Sequence, residues 1–298
     1  MSIRRGTIAV SIKKGNRMKF RTFALPAMLL FLPAMAYALP SGGGPSNIVK
    51  SNNIILMEGD LIGPVKAFRQ YVIGPESERY VRDVNVDFDQ HGQIISAVQS
   101  YGPNPVWESQ LHPDNIVAGW VSRSAVAVKT RDGTKVTQFV SAYKTDKAGR
   151  IVKVSNVEAQ PGAISVTNRY YFYTPDQRVR FYLSLGGRPG FGLYLYGKDG
   201  RLTKVIKNDN VSYSTFTQDG KDLSTTTKTP YITYSSLCQQ WDPGGNCTLV
   251  EKQEKLYFRG NGGEEKTQVT TLWQRQNISY YPGGYREKGP MPEKEKQK

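Results

Sequence analysis

Few residues in this chain have the types and spacing that enzyme chemistry requires. The two histidines are His91, inside a glycine-containing turn, and His112, which precedes a proline. Neither lies near a Ser or Cys in a nucleophile setting, and the sequence contains no H-E-x-x-H zinc motif, nucleophile elbow or phosphate-binding loop. We therefore expect no enzymatic activity, no cofactor and no metal site.

Carboxylates leave one enzymatic alternative open. Two acids brought together by a fold can hydrolyse a glycosidic bond. The candidates are Asp83, Asp87, Asp89, Glu264 and Glu265. Acids in strands and turns are mostly exposed to water. An enzyme that acts on envelope glycans is therefore the alternative to a binding or structural protein.

The main candidate binding surface is a run of tyrosines and arginines between positions 169 and 182. If residues 174–177 form a four-residue loop, the flanking strands form a hairpin. One face of this hairpin then pairs Tyr173 with Arg178, Tyr171 with Arg180, and Arg169 with Tyr182. Stacked Tyr and Arg suit both sugar rings and anionic groups. The ordinary alternative is a set of cross-strand pairs that stabilise an exposed sheet.

The other face of the same hairpin is apolar. It pairs Phe172 with Val179 and Tyr170 with Phe181, and we expect it to be the core side. Two strands whose alternations agree in register support this assignment. The polarity of the two faces predicts that the Tyr/Arg face is exposed.

Turn signals recur along the chain and predict the elements that position these residues. An aromatic residue or Thr is followed by a polar turn that usually contains Asp, then by Gly or Gln, and then by the return strand. The copies begin at Phe88, Thr145, Tyr173, Tyr196, Phe216 and Trp241. This is hairpin chemistry, with Gly in the left-handed position that closes the turn. Period-two alternation between the turns predicts an all-β, antiparallel meander of many hairpins. We expect a large twisted sheet or an open, barrel-like roll, in one domain or two.

The chain carries two cysteines, Cys238 and Cys247, on either side of a Trp-Asp-Pro-Gly-Gly turn. Two cysteines in an exported chain usually form one disulfide. This pair is therefore expected to join the arms of a hairpin.

The N-terminus reads as an export signal. Residues 1–38 contain seven basic residues and no acid, then an apolar stretch, and end in Ala36-Tyr37-Ala38. This pattern is typical of a secretory signal peptide, and Met18 is an alternative start. Cleavage after Ala38 predicts a soluble periplasmic or secreted protein without a transmembrane segment. Residues 39–53 are predicted to be a flexible leader, residues 54–281 the β-rich domain, and residues 282–298 a disordered charged tail.

The full chain has a net charge of +15, from 40 basic and 25 acidic residues. Without residues 1–38, 33 basic residues remain against 25 acidic ones. Charges of both signs are interspersed, so this balance does not indicate nucleic acid. The partners we expect are an anionic envelope glycan or an envelope protein.

Short motifs resemble a known family. A Gly63-Pro64-Val65-Lys66 entry, the aromatic-Asp-x-x-Gly turns, the Cys238–Cys247 hairpin and the Ile278-Ser279-Tyr280-Tyr281 ending are similar to the YnfC-like group of enterobacterial envelope lipoproteins. That resemblance implies an envelope protein without an established activity. The residue after the signal peptide is Leu39 and not the cysteine of a lipoprotein. The turn pattern also resembles tyrosine-aspartate (Rhs-type) repeats, which makes a component of a surface or toxin apparatus a third alternative.

Overall fold

The structure is a computed structural model that describes residues 45–59, 61–73, 82–101, 107–130, 133–160, 162–259 and 264–282. The predicted signal peptide, the first part of the leader and nearly all of the C-terminal tail lie outside these residues. One helix, α1 (Asn47–Met57), precedes the strands. The strands are β1 (Val65–Ile73), β2 (Arg82–Phe88), β3 (Ile94–Tyr101), β4 (Trp107–Asp114), β5 (Gly119–Thr130), β6 (Gly133–Thr145), β7 (Ile151–Gln160), β8 (Ala163–Tyr173), β9 (Val179–Gly186), β10 (Gly190–Tyr196), β11 (Leu202–Lys207), β12 (Val211–Phe216), β13 (Asp222–Lys228), β14 (Ile232–Trp241), β15 (Cys247–Arg259) and β16 (Glu265–Tyr280).

These strands form one closed barrel. Each strand pairs antiparallel with the next along the chain, and β16 pairs with β1 to complete the ring. The all-β antiparallel meander is confirmed, whereas the large twisted sheet or open, barrel-like roll is only partly right, because the sheet closes into a barrel. Closure satisfies the backbone groups that the two edge strands of an open sheet would expose. It also makes the described strands a single β domain.

Six five-residue turns share one hydrogen-bonding pattern. In each, the first N–H donates to the fifth carbonyl, and the fourth N–H donates to the first carbonyl. The turns are Asp89–Gln93, Asp146–Arg150, Thr174–Arg178, Gly197–Arg201, Thr217–Lys221 and Asp242–Asn246. The fourth position has a positive φ in all six, from 68° at Gln177 to 88° at Gly245. The predicted left-handed position is confirmed, and it explains why glycine occupies it in five of the six turns.

All six turns lie at the same end of the barrel, here called the turn end, because an up-and-down meander alternates its connections between the two ends. Helix α1 packs there. Its Ser51, Asn52 and Asn53 are buried and hydrogen-bond three different turns, at Gln177, Gly149 and Gly92 respectively. Residues 47–53 are therefore part of a buried helix, and the prediction of a flexible leader is wrong for them. Tertiary hydrogen bonds to the turns, which local sequence does not reveal, hold this segment.

The hairpin at residues 169–182 differs from the prediction in register. The loop has five residues instead of four, and a bulge between Phe172 and Tyr173 shifts the pairing. Tyr171 therefore lies opposite Tyr182 rather than Arg180, and Phe172 lies opposite Phe181. A five-residue turn with a left-handed fourth residue adds one residue to one strand, which is the physical reason for the error.

The two faces of this hairpin are also exchanged relative to the prediction. Tyr171 and Tyr182 are buried inside the barrel, at 7% and 6% exposure. Tyr170 and Phe172, assigned to the core, lie on the outer surface with 37% and 42% exposure. Alternation identifies two faces, but only the closed ring decides which one turns inward.

The barrel interior is filled unevenly. On the side of β1 to β5 it is an apolar core, with Trp120 donating its indole N–H to the carbonyl of Ile94. On the side of β12 to β14 the inward residues are small and polar, among them Ser212, Thr227 and Ser236. This asymmetry leaves a polar cavity against one part of the wall.

The disulfide prediction is confirmed. Cys238 and Cys247 are bonded, with their Cα atoms 5.7 Å apart, and they flank the Asp242–Asn246 turn. Asn246 of this turn is fully buried and hydrogen-bonds the backbone of Ile62 as both donor and acceptor. The bridge therefore stabilises the turn that anchors the segment before β1. No helix within the described ranges is long and apolar enough to cross a membrane.

Candidate ligand-binding cavity

A cavity of about 440 Å³ occupies the barrel interior, hereafter the lumen. The C-terminal half of α1 lines one side of it, through Ile54, Met57 and Glu58, and the inward faces of β8 to β16 line the other. A second, smaller cavity of about 200 Å³ lies beside Trp107 and Tyr143. Of these two cavities, only the larger is lined by charged side chains, so it is the candidate site.

Arg169 and three tyrosines form the most distinctive cluster in this cavity, here called the Arg/Tyr cluster. The Arg169 guanidinium lies 5.4 Å from the ring centre of Tyr182. The ring centres of Tyr171 and Tyr182 are 5.5 Å apart, and those of Tyr182 and Tyr194 are 6.4 Å apart. All four side chains line the cavity. A cation therefore lies among aromatic rings whose hydroxyl groups can donate and accept hydrogen bonds.

Arg169 has no acidic partner. No carboxylate in the described part of the chain lies within ion-pair distance of its guanidinium, and its buried Nε atom has no hydrogen-bond acceptor. Burial raises the pKa of Tyr171, and it also raises that of Tyr194, so both phenols stay neutral at physiological pH. A half-buried cation without a counter-charge is costly. It is a natural place for an anionic ligand.

Four of the other five charged side chains that line the cavity form two ion pairs, and the fifth is Lys252. Arg201 and Asp222 form an ion pair of 2.5 Å, and Lys207 forms one of the same length with Glu58 of the helix end. Burial raises the pKa of Asp222, although the adjacent Arg201 opposes that change. These two pairs neutralise themselves, so Arg169 contributes the uncompensated charge of the cluster.

Gln274 presents the second unsatisfied group. Its side chain on β16 is 3% exposed, and its Oε1 atom has no hydrogen-bond donor among the described residues. β16 and β8 are eight positions apart in the sixteen-strand ring, so Gln274 and Arg169 lie on opposite walls of the same cavity. Because buried acceptors are rarely left unpaired, a ligand with a hydroxyl or N–H group suits this position.

The structure separates the six residues of the predicted Tyr/Arg face. Arg169, Tyr171 and Tyr182 come together in the lumen. Tyr173 lies at the turn end, where its hydroxyl donates to the carbonyl of Ile151. Arg178 stacks on Tyr196 and forms an ion pair with Asp176, and Arg180 is exposed.

Sequence reasoning left Gln274 and Glu58 unassigned. Gln274 alternates with Leu272 on an inward strand face, a pattern that a known barrel would have revealed. The helix that Glu58 caps had a local signal, since Ser46 precedes an apolar run and its hydroxyl accepts a hydrogen bond from the N–H of Val49. Ser is a favoured N-cap residue.

The carboxylates proposed for the enzymatic alternative do not meet in the cavity. Asp87 forms an ion pair with Arg69, and Asp89 caps its own turn. Glu264 is paired with Lys266 at the start of β16, whereas Asp83 and Asp87 of β2 are level with Arg275 and Ser279 near the end of β16. Asp83 and Glu265 are exposed. The described structure therefore contains no convergent pair made from these five acids.

Comparison of the sequence with known protein families and with characterised proteins finds no match. Among solved structures, the chain is similar to a porin-like protein from Bacteroides uniformis, at 10% identity and a TM-score of 0.42, over 74% of this chain and 98% of that one. It is also similar to part of the Tc holotoxin pore of Photorhabdus luminescens, at 9% identity and a TM-score of 0.25, over 63% of this chain and 15% of that one. At these values neither likeness indicates what this chain does.

Proposed function

We propose that this protein is a non-enzymatic binding protein of the cell envelope, and that its lumen holds a small anionic ligand with hydroxyl groups, such as an acidic sugar. The observation that carries the proposal is the uncompensated Arg169 guanidinium inside a tyrosine-lined cavity. Hydrogen bonds to a charged group contribute about 1.5–3 kcal/mol each. A carboxylate or phosphate at Arg169 would satisfy both its charge and its Nε donor.

The remaining lining favours a hydroxylated ligand over a purely apolar anion. The tyrosine hydroxyls can donate and accept, and Gln274 Oε1 needs a donor from the opposite wall. Aromatic rings also stack on the apolar faces of sugars. A volume of about 440 Å³ lies within the range of about 300–1,000 Å³ that is typical of small-molecule sites.

The envelope location is supported by sequence. The export signal at residues 1–38 and the resemblance to the YnfC-like group both favour it, and the disulfide is typical of an oxidising compartment. The ligand would then be an anionic component of that compartment.

The proposal is tested by calorimetric titration of the full chain with glucuronate and with glucose, which differ in one carboxylate. We expect glucuronate to bind more tightly by about tenfold or more, because about 1.4 kcal/mol corresponds to tenfold. The variant Arg169→Gln should lose this preference. The matched control, Arg180→Gln, changes an exposed arginine of the next strand and should keep it.

A second variant separates a binding defect from a folding defect. Gln274→Met removes an acceptor that has no donor, so it should not lower the unfolding temperature, while weakening binding of both sugars. The lumen is not the proposed anion site if glucuronate binds the Arg169→Gln variant as tightly as it binds the unmodified chain. The same conclusion follows if glucuronate binds to neither protein.

A further inference from the structure

The outer surface of the barrel has two different sides. On β8 to β10 it carries a continuous group of exposed apolar side chains, here called the apolar wall. Its members and their exposures are Ile164 (75%), Val166 (45%), Leu183 (45%), Leu185 (58%), Phe191 (45%) and Leu195 (44%). Scattered apolar residues are ordinary on a protein surface, but a patch across three adjacent strands usually marks an interaction site.

The outward-facing charged side chains on the strands around this wall have one sign. The eight strands from β6 to β13 contain only two acids, Glu158 and Asp222. Asp222 lines the lumen, and Glu158 lies opposite Ser165 on the inward side and is paired with Arg188. The outward charges of these strands are therefore cationic.

Three lysines border the wall toward the turn end. Lys144 lies directly opposite Lys153, and Lys204 lies opposite Tyr213. No carboxylate in the described part of the chain is within ion-pair distance of any of the three. Like charges placed directly opposite each other on a sheet are destabilising. Their arrangement is explained if an external anion covers them.

Aromatic rings accompany these lysines. The ammonium of Lys153 lies 5.6 Å from the ring centre of Tyr170, and that of Lys204 lies 4.9 Å from the ring centre of Tyr213. Both tyrosines are exposed on the outer surface. A cationic and aromatic border beside an apolar surface is the arrangement of side chains at a membrane interface.

We propose that the apolar wall docks this protein on the surface of an anionic lipid bilayer, with Lys144, Lys153 and Lys204 at the phosphate groups. A second copy of the chain fits less well, because a two-fold contact uses the same patch twice and this patch offers no carboxylate to the lysines.

Insertion of the whole barrel into the bilayer also fits less well than docking on its surface. The opposite side carries outward charges such as Asp83, Glu108 and Arg275. Charged side chains on a lipid-facing barrel surface are costly, by about 2–4 kcal/mol for an Arg at the bilayer centre.

The test is flotation of the full chain with vesicles of phosphatidylglycerol and phosphatidylethanolamine, compared with vesicles of phosphatidylcholine alone. Binding should require the anionic lipid and should weaken with salt. The double variant Leu183→Ser, Leu185→Ser should lower the bound fraction by about tenfold. Its matched control is Val269→Ser, Trp273→Ser, which changes two exposed apolar residues of the opposite side and should bind normally.

The contribution of positive charge to vesicle binding is tested separately with the triple variant Lys144→Gln, Lys153→Gln, Lys204→Gln. Its control is Lys255→Gln, which changes an exposed lysine of β15. Every variant carries the same N-terminus, so a contribution of residues 1–38 to lipid binding cancels. The proposal is overturned if both double variants lose binding equally, or if the unmodified chain binds neither type of vesicle. It is also overturned if sedimentation shows instead a dimer that the Leu183→Ser, Leu185→Ser change dissolves.

Discussion

Gly192 is the residue whose size most directly shapes the Arg/Tyr cluster. A Cβ atom added there would lie 2.1 Å from Cε1 of Tyr182, the ring on which Arg169 stacks. Contacts under 3.0 Å force one group to move. The absence of a side chain at Gly192 therefore lets the Tyr182 ring lie flat against β10 and face the cavity.

We expect Gly192→Ala to displace Tyr182 and to destabilise the fold by about 1–3 kcal/mol, the usual range for overpacking. Binding of glucuronate should weaken as well, because Arg169 loses its stacking partner. Urea denaturation and titration measure the two effects. Gly59→Ala is the control, since a Cβ there meets nothing closer than 3.9 Å. Equal stability of the two variants would show that the ring has room to move.

At the scale of single elements, α1 acts as a closure for the turn end. Asn52 is 1% exposed, donates to the carbonyl of Gly149 and accepts from the N–H of Ile151. Ser51 bonds the Thr174–Arg178 turn in a similar way, accepting from Val179 and donating to the carbonyl of Gln177. One helical turn thus satisfies buried backbone groups on two hairpins, which explains why polar residues occupy its buried face.

Replacement Asn52→Ala should cost about 2–4 kcal/mol, because it leaves a buried donor and a buried acceptor without partners. The change Asn47→Ala removes an exposed hydrogen bond to Asp176 and should cost less than about 1 kcal/mol. Chemical denaturation of both variants gives the comparison. A small, equal effect would mean that water replaces the helix at the turns.

At the scale of the whole molecule, closure of the ring produces both proposed surfaces. Closure directs the face of β8 that carries Tyr171 into the lumen and leaves the apolar wall on the outer surface. The pairing of β1 with β16 completes the ring, with Ala67 directly opposite Ser279 on the outer face. Residues opposite each other in antiparallel strands have Cα atoms about 4.5–5.5 Å apart, which is within the range of a disulfide.

The double variant Ala67→Cys, Ser279→Cys should therefore form a second disulfide in an oxidising compartment. Mass spectrometry of the unreduced protein detects it. The control Ala67→Cys, Ser224→Cys places the second cysteine on β13, four positions from β1 in the ring, and should keep two free thiols. Two free thiols in the first variant as well would indicate an open sheet.

Local chemistry in the sequence determined the hairpins of this protein. Asp, Pro and Gly at fixed offsets specify the turns, because a left-handed fourth residue is a property of a few neighbouring residues. Alternation of side chains specifies the strands, and two cysteines on either side of a Pro-Gly-Gly turn indicate the disulfide. None of these features depends on contacts with distant parts of the chain.

Only the tertiary structure decided the closure of the ring, the inward direction of Tyr171 and Tyr182, and the burial of α1. A period of two defines two faces but not which of them meets the core, and here the more apolar face of β8 and β9 turns outward. The one-residue bulge after Phe172 then set the pairing of Tyr171 with Tyr182. Contacts between residues more than one hundred positions apart, such as Gln276 with Gln70 across the ring and Ser51 with Val179 at the turn end, fix these outcomes. Since such contacts form only when all strands are in place, no local pattern reports them.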